Sequence, residues 1–386
     1  MPIDPSTWGM PALIAAFAAA ALGIAVAGVV VASRADVIAD RTGLGEAVVG
    51  ALVLGGATSL AGLVASVTAA WQGHPSLAIS NAIGGIAIQT AFLAVADVTY
   101  RRANLEHAAA SSTNLSQSAL LVALLSLLLV AAFGPNVTAW GVHPASLLLA
   151  LAYVGGVRLI SRARHEPMWY PRSTPLTVRD VPDPENGAGK RSSAWLYGTF
   201  ALAVAALAAA GYLVTQFGIV VADRTGLDDT AVGGLLVATI TSLPELVTTV
   251  AAVRRGALTL AVGGIIGGNA FDTLFLAASD AAYRGGSIYH RFNQQDLFVV
   301  ALTILMTTVL LLGLLRRERA GVATIGFESA LILSRSAVTA TPGSRAQRVP
   351  PASRTVPARR RAGRGCVGCA GRPRRATSRC RAAALG

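Results

Sequence analysis

A glutamate in the second half of the chain lies in an apolar segment with hydroxyl side chains on both sides of it. Thr241 and Ser242 precede Glu245 by about one helical turn, and Pro244 stands directly before it. Proline removes a backbone hydrogen bond and so frees a carbonyl oxygen. Carboxylate, hydroxyl and carbonyl oxygens are the ligands that Na⁺ and Ca²⁺ require. Inserting an acid at mid-membrane costs about 2.5–3.5 kcal/mol, so we interpret Glu245 as functional rather than as a neutralised structural residue.

A second polar pair lies in the next apolar segment. Asn269 and Asp272 are three residues apart, so they share one face of a helix. The glycine pairs within 263–268 are small enough to let helix backbones approach closely. Such glycines are structural in themselves, but we expect them to bring Asn269 and Asp272 against Glu245.

The elements that carry these residues are apolar helices. Of the 386 residues, 53% are hydrophobic and 13% are charged. Apolar runs reach the roughly 20 residues that cross a bilayer as a helix, and they lack the alternation of a transmembrane barrel. The composition excludes a soluble globule and predicts an all-α, polytopic membrane bundle.

The net charge of +13 does not indicate a nucleic-acid partner, because the excess is confined to one end. Thirteen arginines follow the last acidic residue, Glu328, and the other 19 basic residues equal the 19 acidic ones. After Leu333 the apolar sequence changes abruptly to one rich in Arg, Pro, Gly and Ala. For 334–386 we favour the product of a shifted reading frame over a native, disordered basic tail. All three cysteines lie there, and their single Cys-x-x-Cys pair is too few ligands for a zinc site.

The chain contains an internal repeat with an offset of 183 residues. The segment Ala39–Leu44 recurs as Ala222–Leu227, and the same register pairs Asp97 with Asp280. Hydropathy gives apolar segments near 11–33, 46–70, 76–97, 116–133 and 145–160 in the first copy, and near 194–221, 230–253, 258–280, 296–315 and 321–333 in the second.

Five crossings per copy is an odd number, so the two copies enter the membrane from opposite sides. We therefore predict about ten transmembrane helices in two inverted five-helix repeats, 1–160 and 194–333, joined by a linker, 161–193. Arginines cluster in the loops of one side, including the linker. By the positive-inside rule the linker is cytoplasmic, the N-terminus is outside, and the chain is a multi-pass protein of the cell (inner) membrane.

The segments Thr241–Leu246 (TSLPEL) and Ile266–Asp272 (IGGNAFD) resemble the second alpha-repeat of the calcium:cation antiporter superfamily, which includes the sodium/calcium exchangers. The resemblance covers about 11–333. It implies ion sites at mid-membrane between the second, third, seventh and eighth helices. The metal ligands that it implies in the second copy are Glu245, Asp272, Asn269, Thr241 and Ser242.

The first copy departs from the family pattern. Gly62 stands at the position that the repeat pairs with Glu245, and Gln89 stands opposite Asp272. Family members usually offer a glutamate from each copy, so this chain has lost a negative charge. A lower ligand charge weakens a calcium site and favours sodium or proton coupling. The neutral oxygen donors that remain in the first copy are Thr58, Ser59, Asn81 and Gln89.

These features predict a secondary-active antiporter that moves Ca²⁺ or Na⁺ against Na⁺ or H⁺ by alternating access. The predicted partners are inorganic cations and the lipid bilayer. We predict neither enzymatic activity nor a cofactor, because the sequence offers no nucleophile–base pair and no phosphate-binding loop. The alternative is a transport-inactive membrane scaffold or regulator of the same fold, which the lost glutamate would explain.

Overall fold

The computed structural model of the chain describes residues 5–42, 55–99, 105–165, 192–256 and 258–317. These ranges contain helices and loops and no strand, apart from an isolated bridge between Ala139 and Val142. All of them belong to one compact unit, Met1–Pro342. The predicted tenth segment, most of the linker and the basic tail lie outside the described residues.

The described part of the fold contains ten α-helices of nine or more residues, and a further helical piece, Asp229–Thr241, with a π-helical stretch at Val232–Val237. The ten are α1 (Met10–Thr42), α2 (Leu60–Trp71), α3 (Pro75–Thr99), α4 (Ser112–Phe133), α5 (Pro144–His165), α6 (Ser193–Thr225), α7 (Leu243–Arg255), α8 (Leu258–Asp272), α9 (Leu274–Ala282) and α10 (Gln294–Arg316). Seven stretches among them are long and apolar enough to cross a membrane, with α8 and α9 counted together. An eighth results if the two pieces around Ser242 form one broken span.

The helices α1 and α6 are longer than the hydropathy predicted. Each has 33 residues and the two pack against each other. At 1.5 Å per residue each is roughly 50 Å long, well beyond the roughly 30 Å hydrocarbon core. Helices of this length lie tilted in a bilayer or extend past it.

Two of the predicted crossings are broken rather than continuous. The pieces Asp229–Thr241 and Leu243–Arg254 meet at Ser242 with a bend of 43°, and α2 is separated at Ser59 from a short turn that precedes it. Ser59 and Ser242 share a backbone conformation, with φ −77° and ψ 0° at the first and φ −92° and ψ 3° at the second. Pro244 therefore lies in the first turn of α7, where its missing N–H costs little.

The long helices cross these breaks at close range. At Gly28 on α1 a side chain would collide with Pro244, and at Gly211 on α6 a side chain would collide with the Ala61 backbone. Glycine is the residue that permits such an approach. The two contacts are related by the offset of 183, since 28 pairs with 211 and 61 with 244.

Loop contacts at the helix ends follow the same offset. Leu105 N donates to Asp97 Oδ1 at 2.8 Å, and Ile288 N donates to Asp280 Oδ1 at 2.9 Å. A histidine nitrogen also meets a backbone carbonyl in each half. The two pairs are His107 with Arg317 O at 2.6 Å and His290 with Gly134 O at 3.0 Å.

Candidate functional site

The two acids predicted from sequence meet inside the bundle, where α7 begins and α8 ends. Glu245 is 6% exposed and Asp272 is 1% exposed. Residues of the first half contact both carboxyl groups, Ser59 at Glu245 and Gln89 at Asp272. The break at Ser242 puts Glu245 in the first turn of α7, where the positive end of the helix dipole favours a carboxylate.

Hydroxyl groups from the first half of the chain approach Glu245. Ser59 Oγ donates to Glu245 Oε1 at 3.2 Å. The neighbouring Thr58 is also buried, and its Oγ1 donates to the carbonyl of Gly55 at 3.1 Å. The break before α2 therefore brings Ser59 to the acid of α7, and the role of Thr58 and Ser59 as ion ligands stays a prediction.

Gln89 on α3 joins Asp272 to the break before α7. Its Nε2 donates to Asp272 Oδ2 at 2.7 Å and reaches Ser242 Oγ at 3.3 Å. Asn269 lies one turn before Asp272 and donates through Nδ2 to Thr90 Oγ1 at 2.9 Å. All of these groups are buried.

Four oxygens of this cluster have no hydrogen-bond partner although they are buried. They are Gln89 Oε1, Glu245 Oε2, Asn269 Oδ1 and Asp272 Oδ1. An unsatisfied buried acceptor costs about 1–3 kcal/mol, and more if it is charged. Two of these four oxygens belong to carboxylates that have no basic partner among the described residues. A cation bound among the four oxygens would therefore stabilise the cluster.

The donor set fits a hard cation. Carboxylate, amide and hydroxyl oxygens suit Na⁺ or Ca²⁺, whereas zinc and copper prefer nitrogen and sulfur. The described residues contain no group of three or more His, Cys, Asp or Glu side chains that could hold a metal. A cation here would therefore depend on two carboxylates supplemented by neutral oxygens.

The predicted residue Thr241 lies slightly apart from the acids. Its Oγ1 donates to Asn81 Oδ1 at 3.3 Å and to the carbonyl of Val237 at 3.0 Å. Asn81 in turn donates to Gly62 O at 3.0 Å and to Ser66 Oγ at 2.8 Å. The carbonyl that Pro244 was expected to free for an ion stays a prediction.

Two neighbours of the site carried no signal in the sequence. Thr90 Oγ1 accepts a hydrogen bond from the Asn269 amide, and Thr90 is one of several threonines in the apolar segments. Tyr153 on α5 is 2% exposed, its hydroxyl has no partner, and it interacts electrostatically with Asp272. Neither is linked to the acids by spacing along a helix, so only the packing of α3 and α5 reveals them.

Comparison with known proteins agrees with this architecture. The family model described as "Sodium/calcium exchanger protein" matches residues 12–160 and 195–333. The putative antiporter CaxA of Alkalimonas amylolytica is 27% identical over 288 residues, which is 73% of this chain and 85% of CaxA. The sodium/calcium exchanger MaX1 of Methanosarcina acetivorans is 42% identical over 71 residues, covering 18% of this chain and 20% of MaX1.

Two solved structures share the fold at low sequence identity. The H⁺/Ca²⁺ exchanger CAX superimposes with a TM-score of 0.62 at 14% identity, covering 86% of this chain and 82% of CAX. The sodium-calcium exchanger NCX_Mj superimposes with a TM-score of 0.56 at 18% identity, covering 84% of this chain and 97% of NCX_Mj. Since the family model matches most of both halves, this multi-pass membrane protein belongs to the sodium/calcium exchanger protein family, which is a family of transporters.

Proposed function

We propose that the chain is a secondary-active antiporter that moves Ca²⁺ or Na⁺ against Na⁺ or H⁺. The observation that carries this proposal is the cluster of four partnerless, buried oxygens around Glu245 and Asp272. Relatives named as a putative antiporter and as sodium/calcium or H⁺/Ca²⁺ exchangers support it. It requires no cofactor.

The proposed cation site lies between the two breaks and the helices α3 and α8. Glu245 and Asp272 supply its negative charge, and amide oxygens of Gln89 and Asn269 complete the partnerless set. Hydroxyls surround it at Ser59, Ser242, Thr58 and Thr241.

We infer that the two halves are inverted repeats of five helices each, 1–160 and 194–333, around a cytoplasmic linker, 161–193. Contacts that recur at the offset of 183 support this, because a single symmetry operation would create them in pairs. Gln89 and Asp272 are themselves separated by 183 residues and hydrogen-bonded. Equivalent positions of two repeats touch each other only near the axis that relates them.

The proposed movement is a shift of α1 and α6 past a fixed site. Both helices are long, pack on each other, and cross the breaks at Gly28 and Gly211 without intervening side chains. A small tilt of this pair would uncover the site to one side or the other, as in hinge and shear transitions of other proteins.

We place the protein in the cell (inner) membrane with its N-terminus outside. The arginine bias of the loops supports this orientation. The Arg34 guanidinium lies 4.6 Å from the ring centroid of Trp195, which is in the first turn of α6, just after the linker. Reporter fusions to the N-terminus and to the linker test it, and a linker reporter active only outside the cell would contradict it.

Transport by the purified chain in vesicles tests the main proposal. Vesicles with an outward Na⁺ gradient, or with an acidic interior, should take up radiolabelled calcium. Glu245→Gln should abolish the uptake because it removes one of two charged ligands. The control Asp228→Asn changes an exposed acid at a helix start and should leave uptake intact. Equal uptake by the Glu245→Gln and wild-type proteins would exclude Glu245 as a ligand.

A second candidate is a transport-inactive scaffold of the same fold. Gly62, at the position paired with Glu245, is the observation that favours it, because it removes a carboxylate from one side of the site. A ligand that binds the folded state must raise the Tm. If neither Na⁺ nor Ca²⁺ raises the Tm of the protein in detergent, the scaffold replaces the antiporter.

A further inference from the structure

The face of α2 at Gly62 points towards Thr241, which lies one turn before Glu245, on the other side of the break at Ser242. A Cβ built on Gly62 would lie 3.6 Å from Thr241 Oγ1. Thr58 has the matching relation to Glu245, since 58 pairs with 241 and 62 with 245. By this pairing we expect a side chain longer than glycine at position 62 to pass Thr241 towards the site, as the repeat-equivalent Glu245 passes Thr58.

The ring of Phe275 occupies the space that such a side chain would need. The built Cβ of Gly62 would lie 2.8 Å from Phe275 Cε2 and 3.5 Å from its Cζ. Phe275 is 4% exposed and its ring stands edge-on to Phe271, with centroids 6.2 Å apart. Phe271 packs in turn on Tyr153 at 6.0 Å. The ring is thus held in place by an aromatic neighbour and has little freedom to withdraw.

Glycine recurs opposite the second ring. Gly56 lies on the turn before α2, and a Cβ there would be 3.3 Å from Phe271 Cζ. Two aromatic side chains from α8 and α9 therefore pack on two glycines of the first half. The absence of a side chain at Gly62 is therefore filled by the ring of Phe275, as the absence of one at Gly56 is filled by Phe271.

The atoms that Phe275 presents to Gly62 cannot coordinate a metal cation. Cε2 and Cζ belong to the ring edge, which carries the positive part of the aromatic quadrupole. The carbonyl of Gly62 is already bonded to Asn81 Nδ2 at 3.0 Å. The four partnerless oxygens belong instead to α3, α7 and α8.

We propose that Phe275 is a specificity-determining residue, whose ring seals the Gly62 side of the site and limits the chain to one bound metal cation. This rests on the proposed function, in which Glu245 and Asp272 bind that cation. The seal replaces a carboxylate that the internal repeat would otherwise place opposite Glu245. One cation then lies between α7, α8 and α3.

Counting bound cations tests the proposal. Equilibrium binding of radiolabelled calcium and sodium to the purified full chain should saturate at one ion per chain. Gly62→Glu alone should not tighten calcium binding, because Phe275 excludes the new carboxylate. Gly62→Glu combined with Phe275→Ala should tighten it by about tenfold or more, since a third charged ligand is admitted. The matched control, Gly62→Gln with Phe275→Ala, has a side chain of the same volume without the charge. It should not tighten calcium binding.

Two results of the binding experiment would overturn the proposal. One is saturation of the wild-type protein at two or more metal cations per chain. The other is an equal gain in calcium affinity from Gly62→Glu with and without Phe275→Ala, because the ring would then exclude nothing.

A stability measurement without Na⁺ or Ca²⁺ separates the seal from cation binding. Gly62→Ala should lower the Tm by several degrees in the wild-type chain, but only slightly in a Phe275→Leu background, where the ring edge is gone. Equal losses of Tm in both backgrounds would disprove the contact and the proposal with it. If this coupling is found but no cation binds, the proposed function and the one-cation limit both fall, while the packing of Phe275 on Gly62 stands.

Discussion

Gln89 and Asp272 are equivalent positions of the internal repeat, and they are hydrogen-bonded to each other through Gln89 Nε2 and Asp272 Oδ2 at 2.7 Å. One copy of the repeat supplies an amide where the other supplies a carboxylate. The pair leaves Gln89 Oε1 and Asp272 Oδ1 without partners. The same contact therefore stabilises the buried acid and presents two oxygens for a cation.

Gln89→Leu removes the amide donor at nearly constant volume. Without it Asp272 Oδ2 becomes a third unsatisfied carboxylate oxygen in the site, while the unpaired amide oxygen Gln89 Oε1 is removed. A charged acceptor costs more than a neutral one when unpaired, so we expect the free energy of unfolding to fall by about 1 kcal/mol in the absence of cations. Chemical denaturation in detergent measures this loss. In an Asp272→Asn background the same change should cost less, because no charge is left unpaired. Equal costs in both backgrounds would show that the hydrogen bond to the carboxylate contributes nothing.

Transport should be insensitive to membrane voltage. Two carboxylates are neutralised by two positive charges, whether one Ca²⁺ or one Na⁺ together with one H⁺ brings them. Each loaded site then crosses the membrane without net charge. Initial rates of calcium uptake into vesicles should be the same with and without a potassium diffusion potential. A rate that changes when the interior is made negative would mean that the moving site is charged.

The close approach of α6 to α2 should be intolerant of added volume. At Gly211 a methyl group would collide with the Ala61 backbone, whereas at Gly198 on the same helix it would meet nothing within 4 Å. Gly211→Ala should cost about 1–3 kcal/mol of stability. Gly198→Ala should be neutral or slightly stabilising, since alanine favours helix over glycine. Equal Tm values for the two variants would contradict the crossing described here.

The buried acid at the end of α9 should be structural. Asp280 accepts hydrogen bonds from His143 N at 2.6 Å, Ser146 Oγ at 2.8 Å and Ile288 N at 2.9 Å. Asp280→Ala leaves the His143 and Ile288 amides unpaired, while the Ser146 hydroxyl keeps Tyr289 as a partner at 3.0 Å. We therefore expect a loss of more than about 2 kcal/mol. Asp223→Ala, at an exposed position, should change stability by less than about 0.5 kcal/mol. Denaturation of both variants in detergent tests this, and similar midpoints would contradict it.

The sequence indicates the two acids because inserting an acid into an apolar membrane segment is unfavourable. The repeat offset then indicated four neutral oxygen donors in the first half, Thr58, Ser59, Asn81 and Gln89. The structure brings Ser59 and Gln89 into contact with the acids, and the role of all these residues as ion ligands stays a prediction. The family assignment and the all-helical membrane class are confirmed. The ten-helix count stays a prediction, as do the cytoplasmic linker and the origin of the basic tail.

Other features depend on packing that no spacing encodes. Hydropathy treats the crossing at 230–253 as continuous, but the chain bends at Ser242, because a hydropathy average does not register a change of backbone direction. The sequence shows that position 62 lacks the carboxylate of its repeat partner Glu245. It does not show that Phe275 fills this space, because Gly62 and Phe275 belong to different helices. Tyr153 was equally invisible, because only the fold brings α5 beside Asp272.

The central claim is that Glu245 and Asp272 together hold a dehydrated metal cation inside the bundle. Direct binding of radiolabelled calcium and sodium to the purified chain in detergent tests it without any assumption about transport. We expect saturable binding by the wild-type protein and none by the Glu245→Gln, Asp272→Asn double variant, provided that both proteins elute as folded species. Unchanged binding by the double variant would contradict the claim.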